Sequence, residues 1–307
     1  MKGKKEKRYY RGFWASLAYR IFPQPEIIFE EPLPEGEAVV FTGNHSGAYG
    51  PVNAALYFPH RSRPWVVAEV LDKKTAANYI FYDFFTGPMK KHRFSWRVLS
   101  HIVSFLLRPL LYRAGSIPVY HDRRIMQTFD ESIKALENGE HIVVFPECPE
   151  KFSEHINDYY GGFAKIGQLY FKQTGKKLKF YPTYIAHPLG KVLVGKPIEF
   201  DPEGGAQNRK LITEYLRDKT EELANTLPPH KVQPFLTEEW YAAYGHYWTE
   251  GRMAEYWQLC EKKKKKAKKT KSDGAKNDDA KKATAHSDSV EKVNAAQEET
   301  KQDNANA

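Results

Sequence analysis

The fold of this chain is decided by the stretch Thr42-Gly43-Asn44-His45-Ser46-Gly47-Ala48-Tyr49-Gly50-Pro51. It follows an apolar run at 38–41 that is typical of a buried strand, and it leads into a helix whose first residue is Pro51. His45 therefore lies on a glycine-flanked turn between the end of a strand and the start of a helix. Ligands and catalytic groups gather at such turns in open α/β sheets. A neutral imidazole there can accept a proton from an attacking hydroxyl.

The rest of the chain alternates strand-like and helix-like segments. Short apolar runs predict strands at 26–29, 38–43, 65–70, 116–120, 141–145, 178–186 and 191–199. Helical spacing predicts helices at 73–87, 96–112 (with a break near Pro109), 123–138, 162–174 and 207–227. We expect two of these helices to bury the residues Met126, Phe129, Ile133 and Leu136, and Leu211, Tyr215 and Leu223. This order predicts an α/β fold with layers, in which helices flank a largely parallel sheet.

The composition indicates one sizeable intracellular domain. The chain has 307 residues and two cysteines, Cys148 and Cys260, whose separation fits no metal site. We therefore expect a reduced, cytoplasmic protein without a bound metal. The longest uncharged apolar stretch in the body of the chain, 98–107, is shorter than the about 20 residues needed to span a bilayer. No signal peptide is predicted, because the basic start lacks a small-residue cleavage site.

The net charge of +9 is concentrated at the two ends of the sequence. Residues 2–11 and residues 262–307 each carry a net charge of +5, so the body between them is almost neutral. Two basic ends on a neutral domain favour an anionic surface as partner. Nucleic acid is not expected, because no base-reading motif accompanies the basic residues.

Aromatic residues lie beside the basic ones at both ends. Residues 1–22 suit either a helix in a membrane interface or an amphipathic helix docked on its own domain. The aromatic segment at 240–257 and the lysine run at 262–266 suit an anionic bilayer surface, or else a packed C-terminal helix with a solubilising tail. Residues 267–307 lack aromatics and are expected to be disordered.

These patterns predict three parts. Residues 1–35 are a basic aromatic arm and linker, residues 36–258 are the folded domain, and residues 259–307 are a lysine-rich tail.

The histidine turn resembles the first motif of the glycerophospholipid acyltransferases, a family that acylates lysophosphatidic acid (1-acylglycerol-3-phosphate) and related lysolipids. That motif has Asn-His, four residues and then Asp. Three later segments, at 115–119, 143–147 and 180–186, resemble the other motifs of the family in the same order. The resemblance covers roughly residues 36–200 and implies the fold of the family. It also implies acyl transfer from a thioester of coenzyme A or acyl carrier protein to a lipid hydroxyl.

The sequence departs from the family at three places. Gly50 stands at the position of the aspartate, and Cys148-Pro149-Glu150 replaces the Gly-Thr-Arg that ends the third motif. The arginine of the second motif falls at His121, with Arg123 and Arg124 just beyond it. These departures concern the group that supports the histidine and the groups that hold the phosphate of the acceptor.

The resemblance assigns roles to residues of this chain. His45 is the general base, and Glu69 or Asp122 is the candidate to replace the missing aspartate. His121, Arg123 and Glu147 are candidates for the acceptor site. Asn44, Gly47 and Tyr49 shape the turn and the groove beside it, with a structural role favoured for Asn44 and packing for Tyr49. Cys148 is interpreted as a small buried residue.

Two functions remain open at this point. The first is a membrane-surface acyltransferase, peripheral on the inner face of the cell membrane, with an acyl carrier, a lysolipid and anionic lipid as its partners. The second is a catalytically impaired protein of the same fold that binds lipid or partners at the membrane.

Overall fold

A computed structural model describes residues 13–47, 49–58, 62–86, 93–232, 242, 246–247, 252, 255–260 and 262. The chain divides into two compact units, 1–252 and 253–307. In the second unit residues 255–260 are helical, and all elements below belong to the first. Most of the aromatic segment at 240–257, and nearly all of the tail at 259–307, lie outside the described residues. The predicted domain boundaries stay predictions.

The centre of the first unit is an eight-stranded sheet. The strands of this unit are β1 (Glu26–Phe29), β2 (Val40–Gly43), β3 (Ser62–Val67), β4 (Ile117–Val119), β5 (His141–Val144), β6 (Glu147–Phe152), β7 (Asn157–Tyr159), β8 (Lys179–Ala186), β9 (Lys191–Val194) and β10 (Ile198–Glu199). Within the described residues the order is β1-β9-β8-β2-β5-β3-β4, and β10 pairs with β8. Strands β8, β2, β5, β3 and β4 are parallel, as are β1 and β9, whereas β8 pairs antiparallel with β9 and β10. Strands β6 and β7 form a separate antiparallel pair.

Helices cover both faces of this sheet. They are α1 (Phe13–Ile21), α2 (Tyr49–Tyr57), α3 (Ala68–Leu71), α4 (Ala76–Tyr79), α5 (Phe94–Arg113), α6 (Ile125–Glu137), α7 (Lys165–Thr174) and α8 (Gly205–Asn225). A π-helix, Ile80–Thr86, precedes α5, and a 3₁₀ turn, Gly161–Ala164, precedes α7. Gly175 ends α7 in the left-handed conformation, with φ of 71°, because glycine has no Cβ to oppose it.

Alternate residues of the central strands bury opposite faces of the sheet. Val40, Ile142 and Phe180 pack in one cluster with residues of α6, α7 and α8. Phe41 and Val143 pack on the other side with residues of α2. The predicted α/β fold, with helices flanking a largely parallel sheet, is confirmed.

Several local predictions are wrong. Strand β3 ends at Val67 and α3 begins at Ala68, so Glu69 lies on a helix rather than in a strand. Helix α5 continues through Pro109. Both Pro109 and Phe105, whose carbonyl the proline cannot bond, lie on the exposed side, where water can replace the missing bond. The predicted helix at 73–87 is divided between α4 and the π-helix.

Two predicted core residues are exposed. Met126 lies at the start of α6, outside the buried face that Phe129 and Ile133 form. Leu211 points to solvent because the buried face of α8 passes through Ile212 and Leu216 instead.

Candidate functional site

Four parallel strands end at the same edge of the sheet and bring most of the predicted site residues to it. His45 follows β2, Glu147 begins the segment after β5, Glu69 follows β3, and His121 and Asp122 follow β4. The carboxyl ends of parallel strands are where α/β proteins bind their ligands. We divide this edge into two halves: the β2–β5 half, with the residues that follow β2 and β5, and the β3–β4 half, with the residues that follow β3 and β4.

The turn after β2 fixes the orientation of the His45 ring. Ser46 and Gly47 both have positive φ, 47° and 64°, a conformation that is uncommon for a residue other than glycine. The His45 Nδ1 atom lies 2.7 Å from the Gly47 carbonyl oxygen. Because a carbonyl oxygen only accepts, Nδ1 carries the proton of the neutral ring. The basic lone pair of His45 is therefore on Nε2.

The surroundings of His45 favour its neutral form. The side chain is half-buried, and its ring lies 5.3 Å from the Phe145 ring, centroid to centroid. Burial lowers the pKa of His45 to about 4, and the hydrogen bond to Gly47 opposes this only in part. At neutral pH the imidazole is thus in the form that can accept a proton, although it is a weaker base than an exposed histidine.

Gly50, at the position of the family's aspartate, is required by the path of the main chain. Its N–H donates to the His45 carbonyl oxygen over 2.9 Å. A Cβ atom at Gly50 would lie 2.5 Å from that same oxygen and 3.0 Å from the Asn44 carbonyl oxygen. The turn therefore excludes any side chain at residue 50.

Glu147 holds the histidine turn from the neighbouring strand. Its side chain is buried, and its Oε2 atom accepts a hydrogen bond from the His45 backbone N–H. Its Oε1 atom accepts another from the Asn157 backbone N–H at 2.8 Å. Burial raises the pKa of Glu147 to about 7, against the effect of these two donors. Glu147 joins the His45 turn to the β6–β7 pair, so its observed contacts are those of a positioning residue.

The other residues of the turn are held by the sheet and the core. Asn44 is fully buried, and its side-chain amide both donates to the Ile185 carbonyl and accepts from the Ile185 N–H. Tyr49 is buried with its ring 3.6 Å from the His187 ring, and its hydroxyl donates to the Pro23 carbonyl. The Asn44 contacts continue the pairing of β2 with β8 beyond the end of β2, and the Tyr49 contacts pack the start of α2.

The two carboxylates predicted to replace the aspartate do not come from strands beside β2. The predicted strand at 65–70, which carries Glu69, does not lie beside β2, whose neighbours are β8 and β5. Glu69 follows β3, two strands from β2, and Asp122 follows β4, three strands away. With strands about 4.8 Å apart, these starting points lie roughly 10 and 14 Å from the end of β2. Support of His45 by either carboxylate stays a prediction.

The β3–β4 half of the edge is charged, and its side chains range from the exposed Asp122 to the partly buried Glu69 and His121. Asp122 is exposed and accepts hydrogen bonds from the Arg124 guanidinium at 2.7 and 3.0 Å, which together with the Arg124 backbone N–H lower its pKa to about 2. Burial lowers the pKa of His121, while Glu69 and Asp122 act against that shift. Arg123 is exposed and forms no hydrogen bond or ion pair with the described residues.

The sequence missed a polar cluster around the buried Tyr184, near Glu147. The Tyr184 hydroxyl donates to His230 Nε2 over 2.6 Å, because His230 Nδ1 donates to the Pro228 carbonyl. The His155 ring stacks on His230 with centroids 5.0 Å apart. The charge of Glu147 helps burial to raise the pKa of Tyr184. Tyr184 lies in the motif-like segment 180–186, but His155 and His230 are distant from it in sequence and belong to no motif, so no sequence signal brings the three together.

The comparisons with known proteins give a distant structural likeness. No protein-family model matches the chain, and no curated protein matches it. One similar solved structure is the 1-acyl-sn-glycerophosphate (LPA) acyltransferase PlsC from Thermotoga maritima, with a TM-score of 0.41 and 14% identity. The likeness covers 70% of this chain and 78% of that chain. A likeness this distant assigns no residue and no substrate.

The described residues include neither a metal-binding cluster nor a membrane-spanning helix. Within the described ranges, no group of three or more His, Cys, Asp and Glu side chains is placed to hold a metal ion. Of the helices that the structure describes, none combines the length and the apolar character needed to cross a membrane.

Proposed function

We propose that this chain is an O-acyltransferase of the cytoplasmic membrane surface. It moves a fatty acyl group from a coenzyme A or acyl-carrier-protein thioester to the hydroxyl of a lysophospholipid or a similar lipid. The observation that carries the proposal is the orientation of His45. The ring lies at the carboxyl edge of a parallel sheet with its proton on Nδ1, so that Nε2 is the basic atom.

The chemistry needs one proton acceptor. Nε2 of His45 takes the proton of the acceptor hydroxyl as its oxygen attacks the thioester carbonyl. The tetrahedral intermediate then collapses, the carbon–sulfur bond breaks, and the thiolate takes the proton back from Nε2. The products are the lipid ester and the free thiol, so the histidine returns to its starting form.

The Gly47 carbonyl takes over one of the two roles that a carboxylate would have beside His45. It fixes the tautomer and the orientation of the ring, but as a neutral group it stabilises the imidazolium less than an aspartate would. Loss of the correct tautomer in a serine-protease triad costs about 10⁴ in turnover. Because the tautomer is retained here, we expect a slow but measurable reaction.

The acceptor binds at the β3–β4 half of the edge. Arg123 is exposed and Arg124 is held by Asp122, so Arg123 is the cation best placed to meet a phosphate. His121 lies beside it in sequence. Glu147 is reassigned from the acceptor site to positioning, because both of its oxygens accept backbone N–H groups.

One observation favours the second function, a catalytically impaired protein that binds lipid. The turn is built around a glycine at residue 50 and excludes the side chain that supports the base in the family. A protein without catalytic activity would tolerate this change, whereas an active enzyme must orient and support its base without the carboxylate.

An acyl-transfer assay separates the two functions. Purified protein is incubated with lipid vesicles, a labelled acyl thioester and a panel of lysolipids, beside His45→Ala. We expect turnover that falls at least about 100-fold in His45→Ala, and the panel names the acceptor. Equal turnover in both proteins would remove His45 from the mechanism. Absence of turnover with both kinds of donor, with lipid binding retained, would establish the second function.

A further inference from the structure

Helix α5 presents its large apolar side chains to solvent. Ten large hydrophobic residues of the described chain are exposed, and six of them lie on this helix: Phe94, Val98, Leu99, Ile102, Phe105 and Tyr112. Phe94 and Phe105 are 73% and 69% exposed. We call the set Phe94, Val98, Ile102, Phe105 and Tyr112 the α5 stripe. Its members recur three, four or seven residues apart, so they form one continuous face of the helix.

The opposite face of α5 packs against the rest of the fold and holds both polar and apolar residues. Ser100, Ser104 and Leu111 are buried, and each serine hydroxyl donates to a carbonyl of its own helix, those of Arg97 and His101. A helix on the surface of a globular protein normally presents polar residues to solvent and keeps its apolar residues toward the core. The orientation of α5 leaves a contiguous apolar face, which marks an interaction site rather than scattered surface residues.

The charge around the α5 stripe is positive. Arg93 and Arg113 are exposed at the two ends of the helix, and Arg97 and Arg108 lie between them. The sequence has no Asp or Glu from residue 84 to residue 121. An apolar face between cations complements a surface that offers hydrocarbon and negative headgroups together.

We propose that the α5 stripe docks on an anionic bilayer, with α5 lying in the plane of the interface. The apolar side chains enter the boundary between headgroups and acyl chains, and Arg93 and Arg113 meet the headgroups. This deepens the membrane part of the proposed function by naming the surface that docks. It does not require that His45 be catalytic.

Self-association fits the same face less well. Two copies paired through the α5 stripe would bring arginines of one copy against arginines of the other, and α5 contains no carboxylate to separate them. Anionic lipid supplies the negative charge that a second copy lacks.

Docking through α5 would also place the site near its substrate. Leu107 and Leu110 pack against Val52, Leu56 and Tyr57, which belong to α2, the helix that follows the His45 turn. The face that meets the membrane is therefore carried by a helix in direct contact with the helix that supports the candidate base.

Vesicle binding of the full chain tests this inference without any acyl donor. The variant Ile102→Ser/Phe105→Ser removes two side chains of the α5 stripe. The matched control, Met126→Ser/Leu211→Ser, makes the same chemical change at two exposed residues of other helices. Binding to vesicles of phosphatidylcholine with phosphatidylglycerol is measured by flotation, and the oligomeric state by size exclusion. A fluorophore on Phe105→Cys, compared with one on Met126→Cys, reports burial in the bilayer; both are made together with Cys260→Ser, so that the partly exposed Cys260 is not labelled.

We expect the α5 stripe variant to bind at least about tenfold more weakly than the control, and only the fluorophore at residue 105 to shift on vesicles. Equal binding of both variants would overturn the inference and leave the membrane contact to the ends of the chain. A wild-type dimer that the α5 stripe variant dissociates would overturn it in favour of a second copy. His45→Ala is expected to bind as the wild type does, so loss of turnover and loss of docking are seen separately.

Discussion

The two halves of the sheet edge differ in the charge state that they favour for their titratable side chains. At the ends of β2 and β5, burial lowers the pKa of His45 to about 4 and raises that of Glu147 to about 7, so both groups are driven toward their neutral forms. At the end of β4, Asp122 stays in solvent beside Arg124 and has its pKa lowered to about 2. The first half therefore holds groups in their neutral forms and the second holds charged side chains, among them Arg123, the cation proposed to meet the phosphate of the acceptor.

The contrast arises from what each half uses as a partner. In the β2–β5 half the partners are backbone groups: the Gly47 carbonyl for the His45 ring and two backbone N–H groups for Glu147. In the β3–β4 half the partners are charged side chains. Backbone partners fix geometry without adding charge. They can therefore orient the His45 ring in a buried place, where a charged carboxylate beside the ring would cost free energy.

The largest expected effect comes from giving residue 50 a side chain. Gly50→Asp supplies the aspartate of the acyltransferase motif that the turn resembles, yet its Cβ must displace the main chain of His45 and Asn44. We expect turnover to fall as far as in His45→Ala, and the free energy of unfolding to fall by at least about 2 kcal/mol. Acyl-transfer kinetics and chemical denaturation measure the two losses.

Two controls make the Gly50 test specific. Gly50→Ala should behave like Gly50→Asp, because the Cβ alone causes the clash. Gly162→Ala should change little, since a Cβ there meets no atom within 4 Å. Higher turnover in Gly50→Asp than in wild type would mean that the turn can open and that the carboxylate was simply lost.

The second prediction is a pair of opposite pH dependences of stability. The folded pKa of Glu147, about 7, exceeds its ordinary value of 4.5, so its contribution to stability is lost as the pH rises from 4.5 through 7. The folded pKa of His45, about 4, is below 6.5, so its contribution is lost as the pH falls from 6.5 through 4. Each change totals at most about 3 kcal/mol.

Denaturation of two variants separates these contributions. Relative to wild type, Glu147→Gln should gain stability as the pH rises across this range, and His45→Gln should gain it as the pH falls. Asp122 loses its proton at lower pH and does not enter the comparison. Difference curves that run in the same direction, or that are flat, would show that the β2–β5 half is not desolvated as described.

The smallest expected effect concerns the exposed half. Arg123→Ala should raise KM for a phosphate-bearing acceptor by about tenfold and leave KM for an uncharged acceptor unchanged, because only the phosphate contact is removed. Arg124→Ala is the matched control, since its guanidinium is already held by Asp122. A larger effect of Arg124→Ala, or equal effects on both acceptors, would contradict the assignment of Arg123.

The contrast also shows what the sequence can predict. The strand, the turn and the helix around His45 follow from apolar spacing and from glycine and proline positions, and a carboxylate at the end of a buried strand marks Glu147. The role of Gly50 does not follow, because it depends on how closely the main chain passes. The Gly47 carbonyl and the Asn157 N–H are backbone groups, which almost every residue has. Their roles as hydrogen-bond partners therefore cannot be predicted from the residue types.

Helix α5 illustrates a second limit. Its apolar residues predict a helix, but spacing alone cannot tell whether the apolar face meets the core or a partner. The exposure of Phe94, Ile102 and Phe105 decides that, and it is visible only in the structure.

The central claim is that His45 is a neutral base oriented by a carbonyl rather than by a carboxylate. Nitrogen NMR of histidine-labelled protein tests it most directly, with His45→Gln assigning the signal. The account predicts a proton on Nδ1 and a titration midpoint near 4. A proton on Nε2, or a midpoint at or above 6.5, would contradict it and would mean that another group holds the ring.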